Sequence, residues 1–224
     1  MIIHDVLQGT TEWLALRAGI PTASQFDRII TPKTGKPSTA AETYLYELLA
    51  ERILRRPLDR AITVPMEQGS LTEAEAVGYY CAMRDVDAVP CGFVTNDART
   101  WGASPDRLVG DEGLLEIKCH LAGSGLAKHM RYLLTGELDA DHKPQLQGQL
   151  WVGERDWVDF VSYSPGLPTF TKRVHRDADF IALLSGLVQA FSDRLEAAAL
   201  DCRERGWIRD TDVEQVEIFG ANPQ

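Results

Sequence analysis

The chain has few cysteines, no long apolar run, no repeat and no surplus of positive charge, and each absence narrows what it can do. Four of its 224 residues are cysteines. Cys81, Cys91, Cys119 and Cys202 form no C-x-x-C pair and no zinc-ligand spacing with the five histidines, so neither a zinc ribbon nor a disulfide framework is expected. They read as reduced thiols, mostly buried. No apolar stretch is long enough to span a bilayer, and Met1-Ile2-Ile3-His4-Asp5 lacks the organisation of a signal peptide, so a cytoplasmic protein with no membrane partner is expected. Repeats and low-complexity tracts are missing too. Lysine and arginine number 23 against 33 aspartates and glutamates, a formal charge of −10. Phosphate attraction needs Lys and Arg, so this balance argues against a general nucleic-acid binder. Any DNA contact must lie on a local basic strip.

What is present suits one globular domain over 1–224, with 44% hydrophobic and 25% charged residues. The periodicity predicts helices over 10–17, 22–30 (capped by Thr22), from Ser38 through Ile53, and 68–83. Strands are expected over 89–95, 101–106 and 113–120, then helices near 125–134 and 143–152. Strands over 157–162 and 169–175 and a helix over 177–203 follow. The order predicts an α/β fold with a mixed central sheet flanked by helices. Chemistry-bearing motifs fall within about 10–175; a helix and an acidic tail fill 177–224.

Three fragments carry chemistry: Ser104-Pro105-Asp106, Glu116-Ile117-Lys118 and the upstream Glu73. In a strand, Glu116 and Lys118 share one face and Ile117 takes the other. Asp106, at the end of a neighbouring strand after the Pro105 kink, is placed to meet Glu116 across a hairpin. Two carboxylates and a backbone carbonyl, that of Ile117, suit Mg²⁺, which prefers oxygen ligands and keeps several waters. A cation there polarises a phosphate oxygen and acidifies water. Lys118 beside it would have its ammonium disfavoured and could serve as a base. An exposed Glu–Lys ion pair is the competing account, countered by the apolar flanks Leu114, Leu115 and Ile117. Of the glutamines near Gln145, helical geometry puts Gln149 but not Gln147 on its face. His120, His129 and His142 have no ligand spacing.

The chain resembles the lambda-type phage exonucleases, the viral-recombinase branch of the PD-(D/E)xK nuclease superfamily. The resemblance runs from Trp13-Leu14-Ala15-Leu16-Arg17 through Gly19 to Thr22-Ala23-Ser24, similar to a W-x-x-L-R-x-G-x-x-T-A-S opening. It continues through Gly69-Ser70-Leu71-Thr72-Glu73, Ser104-Pro105-Asp106 and Leu115-Glu116-Ile117-Lys118-Cys119, and ends in the Gln-rich 145–151. It implies a restriction-endonuclease-like core and a 5′→3′ exonuclease on linear duplex DNA that leaves 3′ overhangs for single-strand-annealing recombination. Asp106, Glu116 and the Ile117 carbonyl match metal ligands for Mg²⁺ (or Mn²⁺), with two ions per site. Lys118 matches the catalytic lysine, and Glu73 and Gln145 match residues that position lysine and water. Arg17, Ser24 and Ser104 match a 5′-phosphate pocket.

A doubly charged terminal phosphate does call for a guanidinium fork and hydroxyl donors; helix N–H groups near Ser24 would add to them. A helix-end ion pair of Arg17 with Glu12 or Asp27 is the alternative. Lys33 and Lys36 resemble a DNA-facing basic loop, and a solvated loop accounts for them equally. The family forms homotrimeric rings and hands its product to a single-strand annealing protein. A ring lined by Lys33, Lys36, Arg52, Arg55 and Arg56 would reconcile the acidic body with DNA. A different nuclease of the superfamily, or a non-catalytic DNA-end-binding scaffold, remains the alternative.

Overall fold

The computed structural model describes residues 1–58 and 64–208, and for 64–70 the backbone alone. The acidic tail therefore lies largely outside the described residues. Among those described, five strands form the main sheet: β2 (Ala88–Pro90), β5 (Arg107–Val109), β6 (Gly113–Cys119), β7 (Trp157–Tyr163) and β8 (Phe170–His175), in that spatial order. β6 and β7 run parallel and the other neighbours antiparallel, so the sheet is mixed as expected. A parallel pair needs a long crossover, supplied here by α4 (Gly123–Thr135) and α5 (Lys143–Val152).

The two faces of the sheet are covered by different helices. Leu115 and Ile117 of β6 pack with Ala76 and Tyr80 of α3 (Val64–Arg84). Leu114, on the opposite face, packs with Tyr132 of α4 and Leu146 and Leu150 of α5. The period-2 alternation of β6 thus assigns Glu116 and Lys118 to the α4–α5 side. α3 is tied to the sheet through Asp159, which is fully buried. Its carboxylate accepts from Tyr80 Oη (2.7 Å) and from Arg173 Nε and Nη2 (2.8 Å each).

A second core joins α2 (Ala41–Leu54) to α6 (Ala178–Glu204) through Tyr44, Leu45, Leu48, Leu184, Phe191 and Leu195. Each fully buried aliphatic or aromatic side chain here contributes about 1.5–3 kcal/mol. Asp177 caps α6 by accepting from Phe180 N, and Thr10 caps α1 (Thr11–Arg17) by accepting from Trp13 N. Leu183, next to buried Leu184 on α6, is exposed. α5 lies close against residues 23–28: a Cβ on Gly148 would fall 2.5 Å from the Phe26 ring.

Several local expectations are corrected. The predicted strand 89–95 is two strands in different sheets: β2 and β3 (Phe93–Thr95), which pairs with β1 (Ile2–His4) and β4 (Gly102–Ala103). Gly92 is the pivot, because a Cβ there would meet His4 O and Val6 O at about 2.5 Å. The predicted strand 101–106 shortens to β4, and Asp106 precedes β5 instead of ending a strand. Residues 22–30 form a six-residue 3₁₀ turn, Ala23–Arg28, without a Thr22 side-chain cap. So short a turn offers Ser24 no helix terminus. Ser38 does not cap α2, which starts three residues later; its Oγ accepts from Ala40 N in the preceding turn.

Candidate active site

Pro105 biases Ser104 towards extended backbone, and Gln8 holds the segment by donating to the carbonyls of Cys91 (2.7 Å) and Pro105 (2.8 Å). Arg107 pairs with Leu115, a register that continues to set Asp106 opposite Glu116. Asp106 N donates to Leu115 O (3.1 Å), and Asp106 Oδ2 accepts from Ile117 N (2.6 Å). Burial pushes the Asp106 carboxyl well above the usual range; Glu116 and then Glu73 push it further, against the Ile117 N–H and Lys118. The charges of Glu116 and Glu73 are thus felt at Asp106.

Glu116 is buried, with three donors on its carboxylate. Oε1 accepts from Lys118 Nζ and Gln145 Nε2, and Oε2 from Gln149 Nε2, all at 2.6 Å. Burial lowers the Lys118 pKa, but Glu116, and after it Asp106 and Glu73, outweigh burial and raise it. The acids around it thus favour its ammonium form. Glu73 reaches this neighbourhood from α3, but its partner is Arg107 (3.2 Å), whose Nη1 also donates to Asp106 O (2.6 Å). The ammonium of Lys118 is thus oriented by Glu116, while Glu73 braces the Asp106 segment.

Among the described residues, no group of three or more His, Cys, Asp and Glu side chains forms a ready-made metal cage. Two carboxylates suffice for Mg²⁺, which binds through one or two and keeps its waters. Burial, and after it the neighbouring acids, raise the Asp106 carboxyl, and a divalent cation would offset both, so the oxygen donors suit one. Two of the histidines have other tasks. His129 is buried against Ser162 Oγ (2.7 Å) and Pro168 O (3.1 Å), and His142 Nε2 meets Tyr132 Oη (3.0 Å).

A second cluster stands two residues up the chain from Asp106. Arg17 Nη1 donates to Ser104 Oγ (2.9 Å), and Nη2 reaches Ser24 Oγ (3.4 Å) and Thr22 Oγ1 (3.5 Å). The guanidinium stacks over Trp13 at 4.2 Å, and the indole N–H of buried Trp13 also donates to Ser104 Oγ (3.0 Å). The three predicted residues are brought together. Thr22, Trp13, Gln149 and Arg107 are the members that sequence reading left out of the site. A cavity of about 200 Å³ opens beside Arg17, lined also by Thr22, Gln25, Arg28, Tyr44 and Glu47. Lys33 and Lys36 are exposed on their loop, and no hydrogen bond or ion pair joins them to either cluster. Arg52 cannot serve as a free DNA contact: it donates to Gly19 O (2.7 Å) and Glu196 Oε1 (2.6 Å).

Residues 12–156 match the family model of the YqaJ-like viral recombinase domain. The chain is similar to the alkaline exonuclease LHK-Exo of Laribacter hongkongensis, with 32% identity, a TM-score of 0.76, and coverage of 88% of this chain and 98% of that one. A structure of LHK-Exo in complex with dAMP matches equally well, at 31% identity and the same TM-score and coverage. A phage-related exonuclease from Haemophilus somnus 129PT shares the fold at 14% identity and a TM-score of 0.66, over 81% of this chain and 96% of that one. No curated protein is significantly similar to the chain. Among the described residues, no helix is long and apolar enough to cross a membrane.

Proposed function

Because the chain belongs to the YqaJ-like viral recombinase domain family, we propose that it is a lambda-type exonuclease that degrades the 5′-ended strand of linear duplex DNA. By fold and family it is a PD-(D/E)xK-type DNA nuclease in a phage recombination setting; polarity, end requirement and product are our reading. One observation carries it: the Arg17 cluster and the carboxylate pair are joined through Ser104-Pro105-Asp106. Two residues of extended chain span at most about 7 Å, the reach of a single nucleotide step. An end-phosphate held by Arg17, Ser24, Ser104 and Thr22 would place the next phosphodiester at Asp106 and Glu116. The LHK-Exo complex with dAMP fits this reading, since a deoxynucleoside monophosphate is what such a cut releases.

Asp106, Glu116 and the Ile117 carbonyl would hold Mg²⁺, with Mn²⁺ as a substitute and two ions per site as the resemblance implies. Bound there, the cation supplies Lewis acidity at the phosphate and lowers the pKa of water. The chain's own groups do the rest. Glu116, whose Oε1 also accepts from Gln145 Nε2, keeps Lys118 Nζ aimed into the centre. With the acids compensated, the ammonium would lose one proton to solvent, and the neutral amine would take one from the attacking water. Arg107 and Gln8 hold the Asp106 segment still. The product is a 3′ overhang, which we assign to single-strand annealing by a partner protein. We extend the proposal to a homotrimeric ring that shields an internal basic surface behind an acidic exterior.

The test uses three substrates with Mg²⁺ and then EDTA: a linear duplex with 5′-phosphates, the same duplex with 5′-hydroxyls, and a closed circle. Cation-dependent release of mononucleotides from the phosphorylated duplex, with the circle intact, is expected. Cutting of the circle refutes the exonuclease assignment, and binding without cleavage makes the chain a scaffold.

A further inference from the structure

Gln149 is 1% exposed, yet its Oε1 is a buried oxygen with no hydrogen-bond partner. Such an atom costs about 1–3 kcal/mol when left unsatisfied. The side chain cannot turn over to relieve it. The Glu116 carboxylate only accepts, so the NH₂ of Gln149 must face Glu116 Oε2, where it lies at 2.6 Å. Helix α5 cannot retreat either, because Gly148 packs its backbone against Phe26.

A carboxylate offers about four acceptor positions, two on each oxygen. Lys118 and Gln145 occupy both on Glu116 Oε1, and Gln149 occupies one on Oε2. A single position remains, on Oε2 beside Gln149. We propose that Gln149 is a positioning residue for the cation site. It leaves Glu116 one free lone pair, on Oε2, and offers its own Oε1 to water that enters with the cation. The inference rests on the nuclease reading above and adds a residue that reading did not need. Gln147, two residues away, is the internal comparison. It is equally buried, but donates to His175 O (2.8 Å) and accepts from Asp177 N (2.8 Å), away from the centre.

The experiment is a Mn²⁺ titration of the full chain without DNA, read by the paramagnetic resonance of free Mn²⁺, with melting curves in EDTA to establish folding. Gln149→Met should weaken Mn²⁺ binding by about 10- to 100-fold, the usual loss when a partner of a ligating carboxylate is removed. It should also lower kcat on phosphorylated duplex with KM unchanged. Gln147→Met should lower the melting temperature and leave Mn²⁺ affinity alone. A folded Gln149→Met variant with wild-type Mn²⁺ affinity overturns the inference. If that variant does not fold, Gln149→Asn is read in its place; failure of both to fold makes Gln149 a folding residue and likewise overturns the inference. Wild-type protein that binds no Mn²⁺ refutes the nuclease reading itself, a separate outcome.

Discussion

Replacing Arg17 by alanine should separate recognition of a DNA end from cleavage. In the proposed complex the guanidinium donates charge-assisted hydrogen bonds to a terminal phosphate, each worth about 1.5–3 kcal/mol. At 1.36 kcal/mol per factor of ten, loss of one lowers kcat/KM on 5′-phosphorylated ends by about 10- to 150-fold. The fold should tolerate the change. Ser104 Oγ keeps its bond from the Trp13 indole (3.0 Å), and Thr22 and Ser24 remain bonded to each other (3.3 Å). The lost stacking on Trp13 is worth about 0.5–1 kcal/mol, a fall in melting temperature of at most about 4 °C for a chain this size. Single-turnover digestion of matched 5′-phosphate and 5′-hydroxyl duplexes reads the effect. Arg17→Ala should erase the preference for phosphate, and Arg17→Lys, with the charge but not the fork, should fall between. An equal loss on both ends would mean that Arg17 only supports the wall of the site.

Lys118→Ala should abolish cleavage while duplex binding persists in gel-shift assays; near-normal turnover would remove the lysine from the chemistry. Asp159→Ala leaves the Tyr80 hydroxyl and the half-exposed Arg173 without their acceptor and should cost about 1.5–3 kcal/mol, or roughly 3–12 °C in melting temperature; an unchanged melting curve refutes the anchoring role given to this network. Burial first, and Lys118 and Lys128 after it, lower the His142 pKa to about 4. The folded protein therefore binds fewer protons here than the unfolded chain, and the stability this supports is complete above about pH 6.5 and lost as pH falls to about 4. Melting curves across that window should show the decline, roughly 3 kcal/mol in all, and His142→Phe should flatten it.

Elements with a long, clean period were readable from sequence. β6, β7, α5 and α6 lie within a residue or two of their expected places, because each carries its apolar residues at a regular spacing into the cores. β1 is three residues long and exists through its pairing with β3, some ninety positions away, so no local pattern announces it. The single apolar run 89–95 hides a change of sheet that only the close approach at Gly92 reveals. Within the site, Asp106, Glu116, Lys118, Gln145, Arg17, Ser24 and Ser104 were all legible, carried by short motifs. Gln149 was half legible: the i, i+4 spacing placed it on the face of Gln145, but nothing local said that both would reach one carboxylate. Arg107 braces a segment through Glu73, on a helix more than thirty residues upstream, and that pairing is purely tertiary. Thr22 looked like a cap because its hydroxyl suits one; Arg17 drew that hydroxyl elsewhere.

The pivot at Gly92 has a mechanical meaning. One uninterrupted stretch of backbone runs in the large sheet that carries Glu116 and then feeds the small sheet, against which Trp13 is pinned through the Gly92 carbonyl (3.3 Å). A methyl group at residue 92 would act as a wedge driven between them. The smallest amino acid thus lets the wall that holds Arg17 and the sheet that bears the carboxylates share one length of chain.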